Sequence, residues 1–212
     1  MKVSTREFWN EKYQRDYMPW DIGQVSPAFV KYFSTKTTGF SKVAVLGSGR
    51  GYDAFYLAQC RSNKEENYNF DVYGVDFSEI AIDFCNEVKK KNNIENICFY
   101  QTNFFKLIDN KDWKNKFDYV IEHTSLCAID PKRREEYVDL LDYLLKPKGK
   151  LIGMFFIRSK DLGGPPFGST PSEIRELFKR KNFTETEKLH PEKCLHGDKL
   201  EGEEWFGVFE KD

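Results

Sequence analysis

The chain has 212 residues, 32% of them charged, yet acids and bases nearly cancel to a formal net charge of -1. That balance excludes a partner recognised mainly through electrostatics, such as nucleic acid or an anionic membrane surface. The five cysteines (Cys60, Cys85, Cys98, Cys127, Cys194) form no C-x-x-C pair, and the three histidines have no metal-ligand spacing. The pattern argues against a disulfide framework or a bound metal, and for a reducing, cytoplasmic setting.

In chain order, MKVSTREFWNEKY lacks the apolar core of a signal peptide. Ser4-Thr5-Arg6-Glu7 reads as a capping box that opens a short helix carrying Trp9. The turn-rich stretch MPWDIG, with Trp20, follows, and Ser26-Pro27 opens a second helix. Residues 1–40 therefore read as a helical segment ahead of the main fold. From residue 42 the text alternates: KVAVL as a strand, GSGRG as a glycine turn, YDAFYLAQC as a helix, DVYGVD as a strand, and a helix from Ser78.

NICFY, FDYVI and LIGMFFI give three more strands, the last two separated by the helix EEYVDLLDYLL. LIGMFFI is the most apolar stretch and is far too short to span a bilayer. Thr170-Pro171-Ser172-Glu173 caps a helix running to about Lys181. NFTETEKL and EEWFGVFE alternate as exposed antiparallel strands would. The expected fold is α/β in one domain: a doubly wound, mostly parallel seven-stranded sheet with an antiparallel C-terminal edge hairpin.

VAVLGSGRGYD carries the strongest chemical signal. Gly47, Gly49 and Gly51 allow a sharp turn that a ligand can approach without meeting side chains. Asp76 ends the next strand, where a carboxylate can accept both hydroxyls of a ribose. Its alternative role as a helix cap is already filled by Ser78. A dinucleotide site calls for G-x-G-x-x-G, but here the third glycine comes one residue early. A P-loop is excluded by the missing Lys-Ser/Thr pair.

Glycines in this spacing followed by Asp76 resemble the pattern of S-adenosylmethionine-dependent methyltransferases. Four segments extend the likeness in order: FWNEKYQRDYMPWDIGQ, the glycine turn with VDFSEIAI, FDYVIEHTSLCAIDPKRREEY, and GGPPFGSTPSEIRELF. Together they resemble the thiopurine, thiol and halide methyltransferase family, most closely its thiol/halide branch.

The resemblance implies roles by position. Trp9 and Trp20 would close over the cofactor, with Trp20 also facing the methyl acceptor. Gly47 and Gly49 would contact its methionine part, Asp76 its ribose, and Asn103 with Phe104 its adenine. His123 would lie beside the cofactor at the acceptor site, the one catalytic candidate, and Phe167 would wall the acceptor chamber. His123 stands where relatives often carry arginine or tyrosine, so it marks the acceptor's identity. It could steer an anion when protonated or take a thiol proton when neutral.

From the residues alone, Trp9 equally suits a terminal-helix anchor, Asn103 a turn, and the basic cluster Lys132-Arg133-Arg134 a solvated helix start. The implied activity is methyl transfer to a small soft nucleophile: a thiol, thiopurine, hydrosulfide or halide. A metalloid oxyanion or oxygen acceptor, or a non-catalytic domain that binds the cofactor, is the alternative. The sequence leaves the oligomeric state open.

Overall fold

The computed structural model describes residues 3–35, 39–60, 70–193, 195 and 202–212. Two short helices, α1 (Arg6–Gln14) and α2 (Pro27–Thr35), precede the sheet. The main body runs β1 (Ser41–Leu46), α3 (Tyr52–Gln59), β2 (Phe70–Asp76), α4 (Glu79–Lys91), β3 (Ile97–Gln101) and β4 (Phe117–His123). It continues through α5 (Arg134–Leu144), β5 (Leu145–Ile157), α6 (Pro171–Lys179), β6 (Phe183–Glu192) and β7 (Glu203–Lys211).

The strand order is β3-β2-β1-β4-β5-β7-β6. The first five strands pair in parallel; β7 is antiparallel to β5 and to β6. The expected doubly wound sheet with an antiparallel end is therefore present. The hairpin of β6 and β7 stands at the edge as expected, but one expectation needs correction: β7 is not exposed. It lies between β5 and β6, so both of its backbone edges are paired and Phe206, Val208 and Phe209 are buried. Even the polar Glu204 is only 1% exposed.

Near-continuous apolar strands are explained by helices on both faces. One layer joins α5 and α6 to the sheet through Leu141, Leu144, Phe155 and Phe178, with Phe178 stacked on Phe209 at 4.5 Å between ring centres. The other packs Phe29 and Phe33 of α2 and Leu57 of α3 against Val43 and Phe70. The order reverses between β1 and β4, which opens a crevice above their C-terminal ends, where ligands of such sheets bind.

Helix starts follow the sequence closely. Thr170 and Glu173 form the capping box of α6, and Ser78 caps α4 by accepting from the Ala81 amide. At α1 the cap is Thr5 rather than Ser4, its hydroxyl accepting from the Phe8 amide. Ser78 does a second job, since its hydroxyl donates to Asn10 Oδ1 at 2.7 Å and so ties α1 to α4. Replacing Ser78 by Ala should cost about 1–2 kcal/mol in urea unfolding, the value of a lost cap. It should also lower amide-exchange protection of residues 6–14 more than that of β4; uniform loss would show that the link to α1 contributes nothing.

Candidate active site

A cavity of about 470 Å³ opens above the C-terminal ends of β1, β2, β4 and β5. Its floor is the glycine turn. Gly47 has φ 65° and its missing Cβ would fall on the Ser125 hydroxyl, so only glycine fits. Gly49 has φ 53°, and a Cβ there would stand 3.3 Å from the Tyr13 hydroxyl. The Asp76 carboxylate spans the turn: Oδ2 accepts from the Gly49 amide at 2.8 Å and Oδ1 from the Ser78 amide at 2.7 Å. Burial raises the Asp76 pKa, an effect these amides offset only in part.

The roof is the N-terminal segment. Trp9 and Trp20 meet edge to face at 5.6 Å, and Tyr13 meets Trp20 at 6.0 Å. The Trp9 indole donates to the Val3 carbonyl at 2.8 Å. Arg50, inside the glycine turn, reaches Asp16 at 3.4 Å and Asp21 at 3.5 Å, linking turn to roof. Trp9, Trp20, Gly47, Gly49, Asp76, Asn103, Phe104 and His123 all line this one cavity. Asn103 lines the cavity and also serves the turn, its side-chain oxygen accepting from the Phe105 amide at 3.1 Å.

Phe167 does not line it. Gly164, Pro165 and Pro166 form that wall, while Phe167 faces a separate hollow beside α6. Its backbone explains the turn: the Phe167 amide donates to the Cys127 carbonyl at 2.6 Å, and its carbonyl accepts from Arg134 Nη2 at 3.0 Å. Arg134 Nη1 also holds the Gly168 carbonyl, at 3.1 Å. Of the basic cluster at the start of α5, Lys132 is exposed as expected, whereas Arg133 and Arg134 are engaged by the protein. Arg134 clamps the proline loop, and Arg133 lies 3.6 Å over the Phe105 ring while forking onto Glu136 at 2.7 and 2.6 Å.

The stretch after β4 is held from below. Glu122, fully buried, accepts from the Leu126 amide at 2.8 Å and the Tyr137 hydroxyl at 2.5 Å. Cys127 is packed, its thiol donating to the Thr124 carbonyl at 2.9 Å, and burial pushes its pKa far up. It is no nucleophile. Among the described residues, no group of three or more His, Cys, Asp or Glu side chains is placed to hold a metal ion. Likewise, no described helix is long and apolar enough to cross a membrane.

His123 has an arrangement the sequence did not suggest. Nδ1 lies 2.7 Å from Asp53 Oδ2, and Nε2 lies 3.7 Å from Glu204 Oε1. Burial alone would lower its pKa, but Asp53 and Glu204 outweigh it and raise the value from 6.5 to about 10. At neutral pH the ring is an imidazolium facing carboxylates through both nitrogens. It is therefore poorly suited to take a proton from a thiol, and its charge is already answered by two acids.

This crevice, glycine turn and acid define a methyltransferase of the doubly wound, S-adenosylmethionine-dependent class. The sequence model for "Thiopurine S-methyltransferase (TPMT)" matches residues 4–206, and the chain belongs to that family. It is 28% identical over 172 residues to "Probable thiol methyltransferase 2" of Arabidopsis thaliana, covering 80% of this chain and 70% of that one. Identity to a "Thiopurine S-methyltransferase" of Vibrio cholerae is 28% over 184 residues, covering 81% and 80%. Among solved structures, Burkholderia thailandensis 1,6-didemethyltoxoflavin-N1-methyltransferase, bound to its substrate and S-adenosylhomocysteine, superposes with TM-score 0.73. Identity there is 17%, over 98% of this chain and 87% of that one, a likeness of fold.

The raised His123 pKa has a signed consequence. A group bound more tightly to its proton in the folded state contributes stability fully below about pH 6.5, and that contribution is lost as pH rises toward 10. Relative to His123→Gln, the wild type should therefore lose stability across that window, read as Tm against pH. Imidazole NMR should find His123 still protonated at pH 8; a neutral ring there would contradict the arrangement.

Proposed function

We propose that the protein transfers the methyl group of S-adenosylmethionine to a small soft nucleophile, a thiol, thiopurine, hydrosulfide or halide, by direct in-line displacement. The cofactor, when bound, supplies a sulfonium methyl with a good leaving group. The observation that carries the reading is the position of an aromatic and proline wall, Trp20 with Pro165 and Pro166, in the same cavity as the glycine turn and Asp76.

On this reading, Gly47 and Gly49 present backbone to the methionine part and Asp76 accepts from the ribose hydroxyls. Each Asp76 oxygen already takes one amide, and a carboxylate oxygen has room for a second donor. Asn103 and Phe104 flank the adenine. Within the expected lid segment, residues 3–20 cover the cavity and act as the lid, with Trp9 and Trp20 excluding water. Aromatic faces also suit a sulfonium electrostatically.

A thiolate or halide needs no strong base, so the work left is alignment and desolvation. That fits a site whose one histidine is committed to two acids. We assign His123 as a positioning residue on the acceptor side, holding the ends of β4 and β7 and the start of α3 in register. The similar proteins named for thiols, thiocyanate and thiopurines support a soft acceptor.

The test is incubation with S-adenosylmethionine and a panel of thiols, thiopurines, hydrosulfide, iodide and bromide, with methylated products read in headspace and liquid. Cofactor binding with no product from any acceptor would favour a non-catalytic binder. Asp76→Ala should weaken cofactor binding about tenfold to a hundredfold by calorimetry, the scale of hydrogen bonds to a charged group. An unchanged affinity would remove Asp76 from the ribose site.

A further inference from the structure

The cavity wall carries four cationic side chains, and three of them are accounted for. Lys12 Nζ rests over the Phe8 and Tyr17 rings at 5.4 and 4.8 Å. Arg133 is forked onto Glu136, and His123 faces Asp53 and Glu204. Arg158 is different. Among the described residues its side chain's one hydrogen bond runs from Nη1 to the Pro166 carbonyl at 3.4 Å, long for such a contact, and its buried Nε has no partner.

Its place is fixed. Arg158 directly follows β5, and its backbone forms an antiparallel bridge to Ser169 that closes the proline loop. β5 neighbours β4, with Met154 paired to His123, so Arg158 stands on the far side of the cavity from the glycine turn. Asp76 and the glycine turn lie over β1 and β2, on the cofactor half. Arg158 lies on the acceptor half, next to Pro165 and Pro166.

A half-buried guanidinium without an acid is costly unless a ligand supplies the charge. A guanidinium also prefers a particular shape of anion. Its planar fork of donors matches the two oxygens of a carboxylate better than a spherical halide. We infer that Arg158 recognises a carboxylate on the methyl acceptor, so that the acceptor is a small thiol carrying a carboxylate. The inference rests on the cavity being a thiol-methylating site. It transfers the task of charge recognition from His123, whose charge is already compensated, to Arg158.

The test compares 3-mercaptopropionate with its methyl ester, which keeps the thiol and removes the charge. In wild type, kcat/KM should favour the acid by about tenfold to a hundredfold, the range of a charged hydrogen-bonded contact. Arg158→Met should collapse that ratio toward one, mainly through KM for the acid, and Arg158→Lys should restore part of it. S-adenosylhomocysteine affinity and urea unfolding of each variant establish that the fold is intact. A wild-type ratio near one, or a ratio unchanged in Arg158→Met, overturns the inference while leaving thiol methylation standing. If no thiol is turned over, the thiol part of the functional reading fails instead. Calorimetric binding of 3-mercaptopropionate to the S-adenosylhomocysteine complex then decides Arg158 separately: binding weakened in Arg158→Met supports it, and equal or absent binding overturns it.

Discussion

The site depends on one buried carboxylate. Asp53 stands in the first turn of α3, just past the glycine turn, and its two oxygens serve two distant parts of the chain. Oδ1 accepts from the Ser26 amide at 3.0 Å, at the mouth of α2, and Oδ2 meets His123 at the end of β4. Glu204 on β7 approaches the same histidine from the other side. Charges this deeply buried are tolerated only when paired and hydrogen-bonded, and removing one partner leaves the others uncompensated. The start of α2, the helix after the glycine turn and the strands β4 and β7 are therefore held in register by one charge cluster.

That cluster also explains where the sequence was readable and where it was not. The alternation of strands and helices, the glycine turn, the place of Asp76 at the end of its strand and the caps at Ser78 and Thr170 are all local patterns, set by neighbours within a few residues. They carried through to the structure. Asp53, within the helix YDAFYLAQC, and Glu204, within the strand EEWFGVFE, carry no local mark of their roles, because their partner is far away in sequence. Nothing local marks a carboxylate that will be buried by chain arriving later. The same holds for the last strand. Its apolar positions were visible, but its insertion between β5 and β6 depends on which edge the returning chain meets.

Arg134 and Phe167 show the complementary failure. The Arg134 side chain is long and charged, so it reads as solvated; in the structure it binds two consecutive loop carbonyls. With the Phe167 amide donating to Cys127, those bonds fix the loop's direction, which sends Pro165 and Pro166 inward and Phe167 outward. A backbone-directed contact of this kind depends on loop geometry, and residue type alone does not reveal it. Glu122 and Tyr137 are similar, a buried pair that anchors the chain beneath the acceptor side through the Leu126 amide.

Residues that hold the frame and residues that face the cavity are therefore constrained differently. Glu122, Asp53 and Arg134 each satisfy two or more partners within the protein, so changing one leaves a buried group unmatched. Gly47 is fixed by space and φ. Trp20 and Arg158 have fewer obligations inside the fold, and the Arg158 side chain holds one long hydrogen bond, to the Pro166 carbonyl, among the described residues. A side chain with one weak internal contact can change without disturbing its neighbours. On the proposed reading, acceptor choice can therefore vary along the β5 wall, while the half over β1 and β2 and the frame beneath it are held by groups with several partners.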